Sequence, residues 1–230
     1  CRLRPRKKCR WCPFTGAIRL RPSYAEAHGN RGNVLKELGR LSEAMASYDQ
    51  AIRLKPDYAE AYSNRGNALK EMKRVDEAMA SHARALSLQP GYAEAYNNRG
   101  EVQSRLRQFD GAMADVRRAV ELRPQQGESR FLLGRVLRET QRYEEALEQF
   151  YLAERSPVRN SMLSCEIANS KAQICQWENL EEEISQLKKG LQAGNSVVEP
   201  FVALALFDDP ALHKEAARLL VRENVPASQA

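Results

Sequence analysis

Four prolines stand 34 residues apart, at Pro22, Pro56, Pro90 and Pro124. Glycines keep the same interval at Gly32, Gly66, Gly100 and Gly134. So do two alanine series, Ala44, Ala78, Ala112, Ala146 and Ala51, Ala85, Ala119, Ala153. Several independent columns that agree on one period mean one supersecondary unit copied along the chain. A unit this short cannot bury its apolar face alone, so its copies must stack.

Each column has a physical job. Ser23 and Glu26 have the spacing of a capping box, and Asp57 and Glu60 repeat it with Asp as the cap. A first helix is expected over Ser23 to Leu38, with Gly39 ending it in a left-handed conformation. Leu41 to Leu54 is the second helix, and Pro56 stops it. Gly32, Ala44 and Ala51 are small enough for helices to approach closely there. Leu35, Leu38, Leu41, Met45 and Tyr48 fill the space between helices.

This period and small-residue pattern resemble those of tetratricopeptide repeats. The fold class expected is all-α: helix-turn-helix repeats stacked as a right-handed superhelical solenoid, first helices on the concave side. Repeats run 25–58, 59–92, 93–126 and a looser 127–160, and the end of an earlier repeat precedes them from Ala17. Residues 161–193 read as a degenerate fifth repeat, with Ala168 in the glycine column and Trp177 where Leu41, Val75, Phe109 and Tyr143 stand. Residues 194–230 read as a connector, a final helix over Ala211 to Glu223, and a tail. Residues 1–16 carry none of the pattern and begin without methionine, as a truncated or misread start joined to the array would.

The formal charge of +6 invites a nucleic-acid reading. Residues 1–21 hold eight basic residues and no acid, which leaves the rest of the chain at −2. The repeat body therefore offers little to phosphate, and no nucleic-acid partner is expected. No apolar run approaches the roughly 20 residues that cross a bilayer, and no signal-peptide pattern opens the chain. The five cysteines are odd in number and sparse, unlike a disulfide framework. The expected location is cytoplasmic, with no membrane partner.

Catalytic constellations are missing. Cys9-x-x-Cys12, with Cys1 nearby, is half of a zinc spacing, and the nearest further ligand, His28, is placed on a helix. No metal and no cofactor are expected. His28, His82 and His213 do not cluster, and His82 occupies the core column of Tyr48, Val116 and Phe150. Cys165 and Cys175 read as small buried hydrophobes. No nucleophile elbow, phosphate loop or dinucleotide fingerprint appears.

The sharpest feature is a ladder of asparagines. Asn30, Asn64 and Asn98 recur at the sixth position of successive repeats, and Asn33 and Asn67 follow three residues on. The i, i+3 spacing puts Asn30 and Asn33 on one helical face. A primary amide both donates and accepts, so a row of them can pair with the backbone of an extended peptide without reading its side chains. Each such bond nets only about 0.5–1.5 kcal/mol, so a row is needed. Duplication alone would also copy the column, but other exposed positions have drifted: Lys36-Glu37 and Lys70-Glu71 become Ser104-Arg105. Arg31, Arg65 and Arg99 form a neighbouring basic column. It reads either as a stripe facing the ligand or as stems laid over the hairpin with heads exposed.

The N-R-G-N segments Asn30-Arg31-Gly32-Asn33 and Asn64-Arg65-Gly66-Asn67 resemble bacterial tetratricopeptide proteins. Cys175-Gln176-Trp177, Glu199-Pro200-Phe201 and Leu206-Phe207-Asp208-Asp209-Pro210 resemble the segment that joins the repeat arm to the catalytic domain in proteins similar to O-linked N-acetylglucosamine transferase. In that family an asparagine ladder grips the acceptor polypeptide. The resemblance implies that Asn30, Asn64 and Asn98 do so here, and that the ladder stops at Leu132. Because the chain ends where the nucleotide-sugar domain should begin, it is expected to be the acceptor-recruiting arm of a protein O-glycosyltransferase, not itself an enzyme. The alternative is a free-standing adaptor that scaffolds a complex. A further subclass clamps chaperone carboxylates with Lys and Arg, but Glu26, Glu60 and Glu94 occupy one of those columns.

Overall fold

The structure, a computed structural model, describes residues 18–156, 162–176, 178, 180–194, 198, 202–204 and 207–224. The leader with Cys1, Cys9 and Cys12, the connector residues Glu199 to Phe201, Trp177 and the tail from Val225 lie outside the described residues.

Every described element is a helix or a turn. The described residues up to Leu106 form one compact unit and those from Arg107 a second. The first holds α1 (Ala25–Glu37), α2 (Leu41–Leu54), α3 (Ala59–Glu71), α4 (Val75–Leu88) and α5 (Ala93–Arg105). The second holds α6 (Phe109–Leu122), α7 (Gly127–Glu139), α8 (Tyr143–Glu154), α9 (Leu163–Gln173), α10 (Leu180–Gln192) and α11 (Pro210–Asn224). Within the first unit α1 pairs with α2 and α3 with α4, and α2 also packs on α3. Within the second, α7 pairs with α8, α8 with α9 and α9 with α10.

Helix ends are where sequence and structure differ most. The expected capping boxes do not form: α1 and α3 start after Tyr24 and Tyr58, and neither makes a side-chain cap hydrogen bond. Ser23 and Asp57 each sit one residue too early, in turns closed by Tyr24 N–H to Arg21 O and Tyr58 N–H to Lys55 O, both 3.1 Å. Glu26 bonds its own backbone N–H, which holds its carboxyl below the usual carboxylate range. An acid in the first turn is also favoured by the helix dipole.

The first-helix C-termini follow one rule. Gly39 has φ 71°, as its residue type suggests, and Lys73, Arg107, Gln141 and Cys175 hold φ of 60°, 58°, 61° and 55° at the same interval. In a Schellman arrangement Gly39 N–H reaches Lys36 O and Arg40 N–H reaches Leu35 O, both at 2.9 Å. Lys73 with Arg74 and Gln141 with Arg142 repeat these bonds. The motif is thus imposed by the period, even where a side chain makes the left-handed conformation costly. Leu38 is the cap residue of α1, half exposed rather than packed between helices. Cys175, expected in the core, is exposed in the left-handed turn, whereas Cys165 is buried.

The small-residue columns do what their size permits. Ala44, Ala51, Ala78 and Ala85 are fully buried. A Cβ built on Gly32 would lie 2.5 Å from the Tyr48 ring, one on Gly66 2.6 Å from His82, and one on Gly134 2.5 Å from Phe150. In these three hairpins the glycine of the first helix is thus the floor for the ring of the second. Leu35, Ala44, Met45, Tyr48, Ala68, Leu69 and Ala78 form the main core of the first unit. Full burial of a large apolar side chain is worth about 1.5–3 kcal/mol, so these contacts hold the hairpins together. In the second unit Phe207 is buried with Leu187, Leu191, Leu212 and Leu219, and Asp209 caps α11 by accepting the Ala211 N–H at 2.9 Å. Part of the Phe207–Pro210 motif therefore has a packing role.

Candidate functional site

The first helices α1, α3 and α5 touch in succession within the first unit. On each, positions two, six, nine and thirteen follow the i, i+4, i+7, i+11 stripe of one helical face. The stripes read Glu26, Asn30, Asn33, Glu37 on α1, Glu60, Asn64, Asn67, Glu71 on α3, and Glu94, Asn98, Glu101, Arg105 on α5. All three rungs of the ladder therefore belong to one unit, and to helices in mutual contact.

The amides are differently employed. Asn30 is exposed, while Asn64 and Asn98 are half-buried. Among the described residues the side-chain amides of Asn30 and Asn64 have no hydrogen-bond partner. Asn98 Nδ2 donates to Ser63 Oγ on α3 at 3.3 Å, which leaves its carbonyl oxygen for an outside donor. Asn33 Oδ1 accepts the Tyr48 hydroxyl at 2.8 Å and so helps fix the α1–α2 hairpin. Burial pushes the Tyr48 hydroxyl pKa up, so it stays a donor. Asn67 occupies the same column, but His82 replaces the tyrosine and Asn67 Oδ1 is buried without a partner. The ladder thus divides into a sixth column that keeps amide groups unused and a ninth column more committed to the fold.

Two members of the arginine column face the second helices. Arg31 Nε donates to Ser47 Oγ at 3.0 Å. Arg65 donates to Asp49 Oδ1 at 2.8 Å and to Ser81 Oγ at 2.7 Å. Arg99 lies over the Tyr96 ring, 5.9 Å from its centroid. The Arg31 and Arg65 heads pin first helices to second helices, as stems laid over the hairpin would allow, whereas the Arg99 contact stays within α5.

Charge closes one end of the ninth column. Glu101 stands where Asn33 and Asn67 stood, and accepts from Lys70 at 2.5 Å and Arg105 at 2.8 Å. Burial acts to raise its pKa, but Lys70 and Arg105 outweigh burial and hold it below the usual range. In the second unit the sixth column continues as Leu132, which is buried, and Glu166. Glu166 is only 3% exposed and faces Arg138 Nε at 3.1 Å and Arg135 Nε at 3.5 Å. The sequence reading missed this ion cluster, although its signal was an acid standing in the asparagine column.

Among the described residues no three His, Cys, Asp or Glu side chains gather as a metal site, and no helix is long and apolar enough to cross a membrane. Residues 32–73 match a family described as TPR repeat, and residues 63–126 and 97–160 match one described as tetratricopeptide repeat. The chain is a tetratricopeptide repeat protein. A search of curated proteins gave no match.

Solved structures agree with that assignment. The tetratricopeptide protein YrrB, whose structure is described as having an unusual peptide-binding site, is 25% identical with a TM-score of 0.61, over 89% of this chain and 97% of that one. PilW, a type IV pilus biogenesis factor, is 24% identical with a TM-score of 0.71, over 79% and 84%. Pseudomonas aeruginosa pilF is 20% identical with a TM-score of 0.70, over 77% and 81%. The last two likenesses concern the fold of this tetratricopeptide repeat protein alone.

Proposed function

We propose that this chain is a protein-interaction module that binds extended polypeptide on the face formed by α1, α3 and α5. The observation that carries the reading is the recurrence of Asn30, Asn64 and Asn98 on touching helices, with the amides of Asn30 and Asn64 uncommitted. The peptide-binding site named for YrrB supports the same use of the fold. Asn33 and Asn67 stand one turn further along the same face. Arg31 and Arg65 support it by anchoring the first helices to the second, and Arg99 lies over Tyr96 on α5.

Within this reading the chain recruits acceptor polypeptide for a protein O-glycosyltransferase. Phe207-Asp208-Asp209-Pro210 and the ladder support that assignment by resemblance. The alternative, a free-standing adaptor, shares the binding face and differs only in what is assembled. The sparse cysteines favour a cytoplasmic setting for either.

Amide-resolved NMR tests the binding face. Adding an extended peptide should shift the side-chain NH₂ resonances of Asn30, Asn64 and Asn98. The backbone resonances of Ala78 and Ala85, buried on α4, should hold still. Shifts centred on α4 instead would overturn the assignment.

A further inference from the structure

We infer that the ligand lies on this face as a polyproline-type helix read once every three residues, with a cationic side chain at each reading position. The inference rests on the peptide-binding reading above and adds the conformation, register and charge of the ligand.

The register comes from helix spacing. Packed helices lie about 8–10 Å apart, and α1, α3 and α5 touch in sequence, so the rungs Asn30, Asn64 and Asn98 advance by about that step. Asn98 reaching Ser63 across 3.3 Å shows how closely α5 abuts α3. A polyproline II helix has three residues per turn and rises about 3.1 Å per residue, so it repeats every ~9.3 Å. Its residues i, i+3 and i+6 then present the same backbone edge to successive rungs. A β-strand covers about 10 Å in three residues, but its side chains and backbone groups alternate with period two. Residues i and i+3 of a strand would face opposite ways, so every other rung would miss. The match of pitch to helix spacing selects the polyproline form. The two intervening residues turn away from the rungs and need no N–H, so proline is admissible there and only there.

The charge comes from the same stripes. Over the three stripes there are six glutamates and one arginine, although the whole chain carries +6. That arginine, Arg105, is held by Glu101. Glu26, Glu60 and Glu94 each stand four residues before a rung, on its own helical face. Glu60 and Glu94 are exposed carboxylates that take a hydrogen bond from Tyr58 and Tyr92 and keep their charge toward solvent, and Glu26 is partly shared with Lys55 at 3.3 Å. A lysine or arginine at each reading position would place its backbone on the asparagine and its head beside the glutamate. Like charges on the ligand would meet a carboxylate at every rung.

The test is fluorescence anisotropy with the full chain and labelled peptides. Three copies of Lys-Pro-Pro should bind tightest. Three copies of Lys-Pro-Pro-Pro, with the same charge but a four-residue period, should bind about tenfold more weakly, since a second and third rung lose their partners. Three copies of Glu-Pro-Pro should not bind measurably, and the Lys-Val-Thr version, with strand preference, should fall between. Glu60→Gln should weaken the Lys-Pro-Pro peptide by about fivefold and leave the circular dichroism spectrum unchanged. Equal affinity for the three- and four-residue periods, or indifference to Glu60→Gln, overturns the inference. An uncharged, unrelated extended peptide separates the two levels. If it binds wild type and fails on the variant with Asn30, Asn64 and Asn98 all changed to Ala, backbone reading stands whatever the period result. If it binds both alike, the binding face itself falls, and the inference with it.

Discussion

Gly66→Ala is a small change with a legible outcome. The new Cβ would stand 2.6 Å from His82 Cε1, 2.7 Å from Nε2 and 2.9 Å from Nδ1. Those distances are close to 1 Å inside the roughly 3.5 Å at which heavy atoms attract. The ring of His82 is fully buried, so it cannot swing into solvent to make room. Overpacking of this kind costs about 1–3 kcal/mol. Against it stands a gain of about 1 kcal/mol, because alanine is a better helix former than glycine in the middle of α3. The net expectation is destabilisation of up to about 2 kcal/mol by the same two figures, read from urea unfolding. In a His82→Val background the sign should reverse. Valine occupies this column naturally at Val116, and its smaller side chain leaves the Cβ room, so only the propensity gain remains. If Gly66→Ala stabilises the chain with His82 in place, the ring does not sit over the glycine and the pairing of α3 with α4 is misdrawn.

Burial, reinforced by Lys70 and Arg99 and opposed by Glu101, lowers the His82 pKa from 6.5 to about 4. The unfolded chain then binds a proton that the folded one refuses, so stability should decline as pH falls from about 6.5 to about 4 and be flat above, a loss bounded near 3 kcal/mol by thermal melts across pH. His82→Tyr should remove that slope and stabilise by about 1 kcal/mol at neutral pH, since its hydroxyl can serve Asn67 Oδ1 as Tyr48 serves Asn33. Lys73→Gly should stabilise by about 1 kcal/mol in chemical denaturation, because φ of 60° is costly for lysine and easy for glycine. Glu166→Ala should cost about 1–3 kcal/mol in the same assay, because Arg138 Nε loses its acceptor in a largely buried site while its Nη2 keeps Glu139 at 3.0 Å.

Period carried most of the fold into the sequence. The helices, their pairing and the glycine floors follow from columns that repeat whatever residue fills them. Residue-type rules fared worse at the ends. Gly39 was legible as left-handed, but Lys73, Arg107, Gln141 and Cys175 adopt the same conformation without a glycine to announce it. Ser23 and Asp57 look like caps, yet the turns before α1 and α3 close through backbone bonds and leave them outside. For the candidate site, the column of Asn30, Asn64 and Asn98 could be read directly, because i, i+3 and i+4 geometry is local. The orientation of each amide could not. It depends on Ser63, Tyr48 and His82, which lie on other helices, and on which of them supplies a hydroxyl. The arginine column was ambiguous for the same reason: its direction is set by Ser47, Asp49 and Ser81 on α2 and α4.

The most direct test of the central claim is to titrate several extended peptides of unrelated sequence against wild type and the variant with Asn30, Asn64 and Asn98 all changed to Ala. Each amide contributes about 1 kcal/mol net, so the triple variant should lose roughly 3 kcal/mol if the rungs act independently, and single changes about a third of that. The loss should be similar for every peptide, because the amides pair with backbone, and the melting temperature should fall only slightly, because none of the three is in the core and only the Asn98–Ser63 bond is lost from the fold. If the triple variant binds all the peptides as tightly as wild type, the asparagine column is a relic of duplication and the binding face lies elsewhere.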